Sequence, residues 1–215
     1  NKFIEDVAIL YKLGIAVIIV HGGGPRIKME LAKLNIESQF IRGLRVTDQQ
    51  TMVVVEKALV EFNSEIIEKL KKKECKADGL NVSSNNIFIV KQENKNLGFV
   101  GKPRKILNEK IQHILDQEQI PVISPMGKDE DGEKYNINAD TAAAAIAKSL
   151  KSRRLLLMTD VAGVYDKNKK LINEIKPAEA KDLINKKIVE GGMIPKLLNS
   201  IDAIENGVKG VVIID

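Results

Sequence analysis

The sequence predicts an α/β fold: an open αβα sandwich in which a mainly parallel sheet lies between two layers of helices. Two observations predict it. Segments with apolar residues at helical spacing alternate with short runs of Val, Ile and Leu along almost all 215 residues. Several of these runs end directly in glycine or small polar residues, as strands do before a connecting helix. Such alternation produces parallel strands with helices on both faces of the sheet.

Each element has its own local signal. Helices are predicted where apolar residues recur every three or four positions, and strands where β-branched and aliphatic residues run together between turn residues. Pro25 suits the first position of a helix, Thr47 and Asp48 supply a helix cap, and Pro125 ends a strand. The predicted helices are 3–13, 25–35, 48–72, 104–118, 139–150, 177–187 and 193–206, and the predicted strands are 15–20, 77–82, 86–92, 97–103, 120–125, 153–160 and 210–214.

Composition excludes several classes of function. The net charge is +5, but the lysines are dispersed and aromatic residues make up only 4%, so no basic stripe for nucleic acid is predicted. One cysteine, Cys75, permits no internal disulfide, and two histidines permit no histidine metal site, so we expect no metal ligands from the protein. No apolar run approaches the roughly 20 residues of a membrane helix. We expect a cytoplasmic protein, or a plastid one in an alga or plant, that binds neither nucleic acid nor membrane.

The stretch VIIVHGGGPRI, residues 17–27, is a buried strand followed by three glycines and a helix. One interpretation is a tight connection that needs the positive φ which glycine supplies. The other is an anion site, because glycines expose backbone N–H groups and a helix begins there. The stretch is neither a P-loop nor the dinucleotide fingerprint, since the residues that complete those motifs are absent.

Polar residues of two further segments are candidates for binding. Arg42 and Arg45 precede a helix, and a guanidinium suits carboxylates and phosphates, although from this segment alone solvent-facing arginines are the favoured interpretation. Asn136, Asn138 and Asp140 alternate on an extended segment and therefore share one side. Asp140 fits the role of a helix cap and the role of a functional residue equally well.

The carboxyl-terminal third contains two more candidates. The strand LLLM delivers Thr159 and Asp160 to the carboxyl end of the sheet, where ligands of such folds bind. Asp160 suits equally a nucleotide contact and a turn cap. Lys196 lies in the first turn of a helix, where its charge opposes the helix dipole, so we predict a bound phosphate beside it.

Together these motifs resemble the amino acid kinase family, and within it the N-acetyl-L-glutamate kinases. The resemblance covers nearly the whole chain. HGGGP and Asn-x-Asn-Ala-Asp are shared in looser form by carbamate, aspartate, glutamate and uridylate kinases. The narrower set that favours acetylglutamate as the acceptor is GLRVTD, NINADTAA and GGMIPK.

The resemblance implies the amino acid kinase fold and transfer of the γ-phosphoryl of MgATP to the γ-carboxylate of N-acetyl-L-glutamate, a step of arginine biosynthesis. Carried over by position, Gly23 and Gly24 would donate backbone N–H groups near the acceptor carboxylate and the phosphoryl group. Arg45 would bind the α-carboxylate, and Asn136 would hold another part of the substrate.

The same resemblance implies a substrate-binding lobe at 1–148 and an ATP-binding lobe at 149–215. Asp140 would organise the catalytic lysines, and Lys196 would neutralise phosphate charge in the transition state. Mg²⁺ would be held mainly through the nucleotide. The implied ATP-binding residues are Thr159, Asp160, Val161, Ala162, Gly163, Val164, Tyr165, Ile188, Val189, Glu190, Met193 and Lys196.

The resemblance also implies a homo-oligomer, either a dimer or a hexamer. Some members of the family are inhibited by arginine, and some bind a PII-type signalling protein. The family's opening strand with Lys-x-Gly-Gly and its closing segment are expected to lie outside residues 1–215, so we expect the 215-residue chain to have little activity. The alternatives are a sister kinase with another acid acceptor and a non-catalytic regulatory fragment of the same fold. A nicotinamide-dependent oxidoreductase lacks its fingerprint here.

Overall fold

The computed structural model describes residues 2–215, which form a mixed α/β structure. The α-helices are α1 (Lys2–Lys12), α2 (Gly24–Lys33), α3 (Gln49–Lys71), α4 (Asn108–Asp116), α5 (Ala139–Ser149), α6 (Pro177–Asn185) and α7 (Met193–Glu205). The strands are β1 (Ile19–Val20), β2 (Phe40–Ile41), β3 (Leu44–Arg45), β4 (Ala77–Leu80), β5 (Phe88–Gln92), β6 (Gly101–Ile106), β7 (Ile120–Ile123), β8 (Met126–Lys128), β9 (Lys134–Asn136), β10 (Leu155–Met158) and β11 (Val211–Ile214).

The chain divides into two compact units. One contains the residues up to Gln39 together with Arg45–Ala139, and the other contains Phe40–Leu44 and Asp140–Asp215. The boundary expected from the sequence lay after residue 148, whereas the observed division precedes Asp140 and places almost all of α5 in the second unit. Which ligand each unit binds stays a prediction.

The first unit is built on a parallel sheet in the order β1-β7-β4, which confirms the predicted α/β class. All four residues of the central strand β7 are buried, because neighbours cover both its edges and both its faces. Ile4, Ile66, Leu70 and Val122 belong to the core that α1 and α3 form against this sheet. A second sheet has the strand order β6-β5-β8-β9. Only β5 and β8 pair in parallel there, and the other two pairs are antiparallel, an arrangement that the sequence did not predict.

The second unit is built on the parallel pair β10-β11. In β10, Leu155 and Leu157 are buried while Leu156 and Met158 are exposed, so the strand is covered on one face only. The buried face packs against small residues of α5 and α7, among them Ala203. Alanines let these helices approach the strands closely.

Two segments differ from the sequence prediction. The helix expected from residue 104 begins only at Asn108, because Arg104 to Ile106 continue β6. Strand β6 lies at the edge of its sheet, where proline and basic residues are tolerated. The hairpin of β2 and β3 was not predicted, since only two residues on each side pair.

The ends of the seven α-helices within residues 2–215 share one geometry. Each closes with a backbone hydrogen bond from the residue five positions after its acceptor, for example Ile36 N–H to Leu31 O at 3.0 Å and Cys75 N–H to Leu70 O at 3.1 Å. That bond belongs to the Schellman motif, which needs one residue in the left-handed region. Glycine occupies this position after α1 and α7, and the other five helices use Asn35, Glu74, Glu118, Lys151 and Lys187.

Candidate active site

The glycine turn joins β1 to α2. None of its three glycines has a positive φ, so the interpretation as a turn that needs left-handed backbone is wrong. A Cβ at Gly23 would lie 2.6 Å from Leu59 Cδ2, whereas a Cβ at Gly24 would meet nothing within 4 Å. Gly23 is therefore required for close packing against α3, and the space beside Gly24 is open to a ligand.

The same turn presents free hydrogen-bond donors. Among the hydrogen bonds of residues 2–215, the N–H groups of Gly23 and Gly24 have no acceptor. Pro25 occupies the first turn of α2 as predicted, and that turn contains no acidic side chain that would neutralise the positive end of the helix dipole. The turn is therefore suited to bind an anion through backbone groups.

Arg45 lies beside this turn. Its guanidinium donates to Ser38 Oγ and to the carbonyl of Gly24, the latter at 3.2 Å. Burial lowers the pKa of the Arg45 guanidinium, which nevertheless stays charged. Arg42 is instead exposed in a left-handed conformation, so the solvent-facing interpretation applies to Arg42 and not to Arg45.

A buried threonine connects Arg45 to Asn136. Thr47 Oγ1 donates to the carbonyl of Arg45 at 3.0 Å, and Asn136 Nδ2 donates to Thr47 Oγ1 at 3.2 Å. The position of Thr47 in the sequence indicated only part of a helix cap, but the cap is made by Asp48, whose Oδ1 accepts from Thr51 N–H at 2.7 Å. Three of the four predicted substrate residues therefore form one hydrogen-bonded group with Thr47.

The second unit contains a buried ion pair. Lys196 Nζ donates to both carboxylate oxygens of Asp140 at 3.0 and 2.9 Å and to the carbonyl of Met158 at 3.2 Å. The side chains of Lys196 and Asp140 are 9% and 22% exposed. Asp140 lies in the first turn of α5, where a negative charge is favourable. The charge of Lys196 is therefore balanced by Asp140, so its position at a helix start does not by itself require a phosphate.

The predicted nucleotide residues lie in two environments. Thr159 and Asp160 follow β10 at its carboxyl end, next to the Met158 carbonyl that Lys196 contacts, and Asp160 is exposed. Val164 and Val189 are buried in a hydrophobic cluster with residues of α6 and α7, so their side chains are not available to a ligand. The exposed members of the set are Asp160, Val161, Ala162, Tyr165 and Glu190.

A cavity of about 440 Å³ in the second unit lies largely apart from these residues. Ala162, Gly163 and Val164 line it, but Thr159, Asp160 and Lys196 do not. Most of its wall comes from 171–175, from α7 and from 210–213. The cavity therefore does not coincide with the nucleotide pocket expected from the sequence.

Residues 2–215 contain no group of three or more His, Cys, Asp or Glu side chains with the geometry to hold a metal ion. Within the same range, no helix combines the length and the apolar character needed to cross a bilayer.

Known proteins match this chain over nearly its whole length. The profile of the amino acid kinase family matches residues 1–215. An acetylglutamate kinase of Pelagibacter ubique is 53% identical over 213 residues, covering 99% of this chain and 74% of the relative. An acetylglutamate kinase of Mesorhizobium japonicum is 45% identical over 229 residues, covering 100% and 77%. The crystal structure of smu.665 from Streptococcus mutans matches with a TM-score of 0.93 at 30% identity, covering 99% of this chain and 87% of that chain.

Proposed function

The chain belongs to the amino acid kinase family, and we propose that it is an acetylglutamate kinase, which phosphorylates the γ-carboxylate of N-acetyl-L-glutamate in arginine biosynthesis. The relatives named for this activity match the chain from end to end, which supports the choice of acceptor. The observation in the structure that carries the proposal is the hydrogen-bonded group around Arg45. It assembles backbone donors, a guanidinium and an amide, which are the groups that recognise an acidic amino acid.

On the substrate side, Arg45 binds the α-carboxylate of acetylglutamate through its planar fork. Its bond to the Gly24 carbonyl keeps the guanidinium near the turn whose N–H groups receive the γ-carboxylate. Asn136 holds a further polar group of the substrate, and Thr47 fixes Asn136 relative to Arg45. This division of roles gives one anion-binding group to each end of the substrate.

On the nucleotide side, Thr159, Asp160 and the exposed residues after them contact ATP at the carboxyl end of β10. Lys196 neutralises charge on the phosphates, and Asp140 holds the ammonium group in place. Mg²⁺ prefers oxygen ligands and retains phosphate oxygens and water, so it would be held mainly through the nucleotide and would supply additional charge neutralisation.

The reaction needs positioning and charge neutralisation more than covalent help. An oxygen of the γ-carboxylate forms a bond to the γ-phosphorus of ATP while the bond to the bridging oxygen of ADP breaks. The carboxylate is already deprotonated at pH 7, so no general base is required. The products are N-acetylglutamyl phosphate and ADP. The backbone N–H groups of the turn stabilise charge on the acceptor carboxylate, and Lys196 stabilises charge on the phosphates of the nucleotide.

The first test is an assay of ADP release in the protein encoded by the complete gene, with acetylglutamate, glutamate, aspartate, carbamate and UMP as acceptors. Release that depends on acetylglutamate is expected. Activity with another acceptor alone would identify a sister kinase, and binding of ligands without turnover would identify a regulatory protein. The same assay on the 215-residue chain measures how much activity these residues have by themselves.

The second test addresses the nucleotide. Titration with a non-hydrolysable ATP analogue, followed by NMR, is expected to shift the amide signals of residues 159–165 and of Lys196. Titration with acetylglutamate is expected to shift those of Gly23, Gly24 and Arg45. The reverse pattern would contradict the assignment of a substrate lobe and an ATP lobe.

The same proposal extends to cellular location, oligomeric state and regulation. We expect a cytoplasmic homo-oligomer, either a dimer or a hexamer, and sedimentation equilibrium measures which. Sensitivity to arginine and binding of a PII-type protein occur in some members of the family. Adding arginine or a PII-type protein to the acetylglutamate assay tests each property directly.

A further inference from the structure

His21, the residue before the three glycines, has both ring nitrogens engaged. Its side chain is buried, and Nδ1 lies 2.9 Å from the carbonyl oxygen of Gly22. A carbonyl oxygen only accepts, so Nδ1 carries the proton and donates. Nε2 then has only a lone pair, and it accepts from Asn63 Nδ2 at 3.1 Å. The ring is therefore neutral and held in the tautomer protonated at Nδ1.

The orientation of Asn63 is fixed by a second acceptor. Its Nδ2 also donates to the carbonyl of Val122 in β7 at 2.9 Å, a bond that its Oδ1 could not make. Asn63 is only 1% exposed, and a Cβ at Gly79 would lie 2.6 Å from its Oδ1. Flipping the amide would place its oxygen against both the Val122 carbonyl and the lone pair of Nε2. The amide therefore determines which nitrogen of His21 carries the proton.

The bond from His21 to the Gly22 carbonyl sets the direction of the next N–H group. The chain contains no cis peptide bond among residues 2–215, so the Gly22 carbonyl and the Gly23 N–H point in opposite directions across one planar unit. With the carbonyl held toward the buried imidazole, the Gly23 N–H points away from it. That N–H has no acceptor in the protein. Without the histidine bond, a glycine peptide could rotate through many conformations.

We propose that His21 is a positioning residue that holds the Gly22–Gly23 peptide so that the Gly23 N–H is directed at the anionic ligand of the turn, and that Asn63 holds His21 in the required tautomer. This inference rests on the proposed function only for the identity of the ligand, an acidic amino acid with its transferring phosphoryl group. The orientation of the peptide follows from the hydrogen bonds themselves. His21 neither touches the ligand nor exchanges a proton with it.

The tautomer can be measured without any activity. Long-range ¹H–¹⁵N NMR of the protein at pH 7.5 is expected to show His21 neutral and protonated at Nδ1, the less common form of free histidine. In Asn63→Leu the constraint at Nε2 is lost, and the signals are expected to move toward a mixture of tautomers. A His21 protonated at Nε2 in the parent protein would overturn the proposal.

The kinetic test compares two amide replacements of the same ring. The amide nitrogen of asparagine can take the place of Nδ1, whereas the longer glutamine side chain places its nitrogen nearer to Nε2. His21→Gln is expected to lower kcat/KM for acetylglutamate about tenfold or more, as loss of one oriented hydrogen bond would. His21→Asn is expected to retain most of the parent value. The KM for ATP should change little in either variant.

Both replacements remove the edge-to-face contact of the imidazole with Phe62, whose ring centroid lies 5.3 Å away, so their melting temperatures should fall together. Equal kcat/KM in the two variants, with a similar loss of stability, would show that His21 is only a packing residue and would overturn the proposal. Absence of acetylglutamate-dependent turnover in the parent protein would contradict the proposed function instead. The NMR result would still decide the tautomer in that case.

Discussion

The glycine turn of the first unit and the Lys196–Asp140 pair of the second unit illustrate two ways to prepare a protein for an anion. The turn contains no charged group of its own, and its two N–H donors have no acceptor within residues 2–215. Lys196 carries a full charge, but all three of its N–H donors have acceptors in the protein. One region therefore has unused donors, and the other has a balanced charge.

The difference has an energetic reason. An exposed backbone N–H at a helix start is hydrated by water, so leaving it without a protein acceptor costs little. A buried ammonium without a partner would be strongly destabilising, so a carboxylate must stay beside it. The two regions should therefore respond differently to mutation. Loss of the free N–H donors of the turn should affect ligand binding, whereas loss of either charge of the pair should affect both stability and catalysis.

The largest effect is expected at Lys196. Lys196→Ala should lower kcat by about 10²–10³ or more, since charge on the transferring phosphoryl group is stabilised mainly in the transition state. Lys196→Arg should recover little, because a planar guanidinium cannot replace a compact ammonium between a carboxylate and a phosphate. Steady-state kinetics in the protein from the complete gene measures both.

A second variant separates catalysis from stability at this pair. Lys196→Ala leaves the Asp140 carboxylate without its partner, so the melting temperature should also fall. Combining it with Asp140→Asn removes both charges and should restore much of the stability while kcat stays low. If kcat recovered together with the melting temperature, Lys196 would have a structural role alone.

The next largest effect is expected at Arg45. Arg45→Lys should raise the KM for acetylglutamate about 10–100-fold, the equivalent of roughly 1–3 kcal/mol for a bidentate ion pair, and leave the KM for ATP nearly unchanged. Arg42→Lys is the matched control, since Arg42 is exposed in the same hairpin. An equal rise in both KM values for Arg45→Lys, or the same effect from Arg42→Lys, would remove Arg45 from the substrate site.

A smaller effect on stability should distinguish two adjacent glycines. Gly23→Ala places a methyl group against the buried Leu59 side chain and should cost about 1–2 kcal/mol, in the lower part of the range for an overfilled core because Leu59 can rotate. Gly24→Ala meets open space and should change the free energy of unfolding by less than about 0.5 kcal/mol while raising the KM for acetylglutamate. Chemical denaturation and kinetics together test the pair. Equal losses of stability would contradict the packing argument.

The smallest effect concerns the pH dependence of stability. Burial, and to a lesser extent the charge of Arg26, lower the pKa of His21 below its ordinary value near 6.5, against the opposing hydrogen bond to Gly22. The unfolded chain therefore binds a proton at a higher pH than the folded protein. Stability should fall as the pH drops below about 6.5, by at most about 1.4 kcal/mol per unit, until His21 protonates in the folded state.

Urea denaturation between pH 7.5 and 5 measures this slope, and His21→Asn should reduce it. The control is His113→Asn, the same substitution at an exposed position of α4. A slope that is the same in the parent and in both variants would show that other groups determine the acid response.

The elements with strong local signals were predictable from the sequence. The strand, glycines and Pro25 of the β1–α2 connection, the Asp48 cap of α3 and the delivery of Thr159 to the carboxyl end of β10 all depend on residues within a few positions of one another. The parallel pairing of the main sheets follows from their alternation with helices. Local chemistry is sufficient for these features.

The features that the sequence did not reveal depend on distant partners. Thr47 meets Asn136 across 89 residues, and Asn63 meets His21 across 42. Nothing in the neighbouring residues of Asn63 distinguishes it from other polar residues of α3. The residues around Lys196 did not indicate its ion pair, since its partner Asp140 lies 56 residues away, and only the family resemblance implied that Asp140 organises it. The roles of the individual site residues in binding and catalysis stay predictions.

The Schellman motifs at the helix ends include positions where substitution can raise the thermal stability of the protein. Five of them hold a side-chain-bearing residue in the left-handed region, among them Glu74, Glu118, Lys151 and Lys187, where a Cβ costs about 1 kcal/mol each relative to glycine. These four side chains are exposed, so replacing them with glycine removes no core packing. Because none of them belongs to the glycine turn, the Arg45 group or the Lys196 pair, the fold can be made more heat-resistant without altering the groups that bind its ligands.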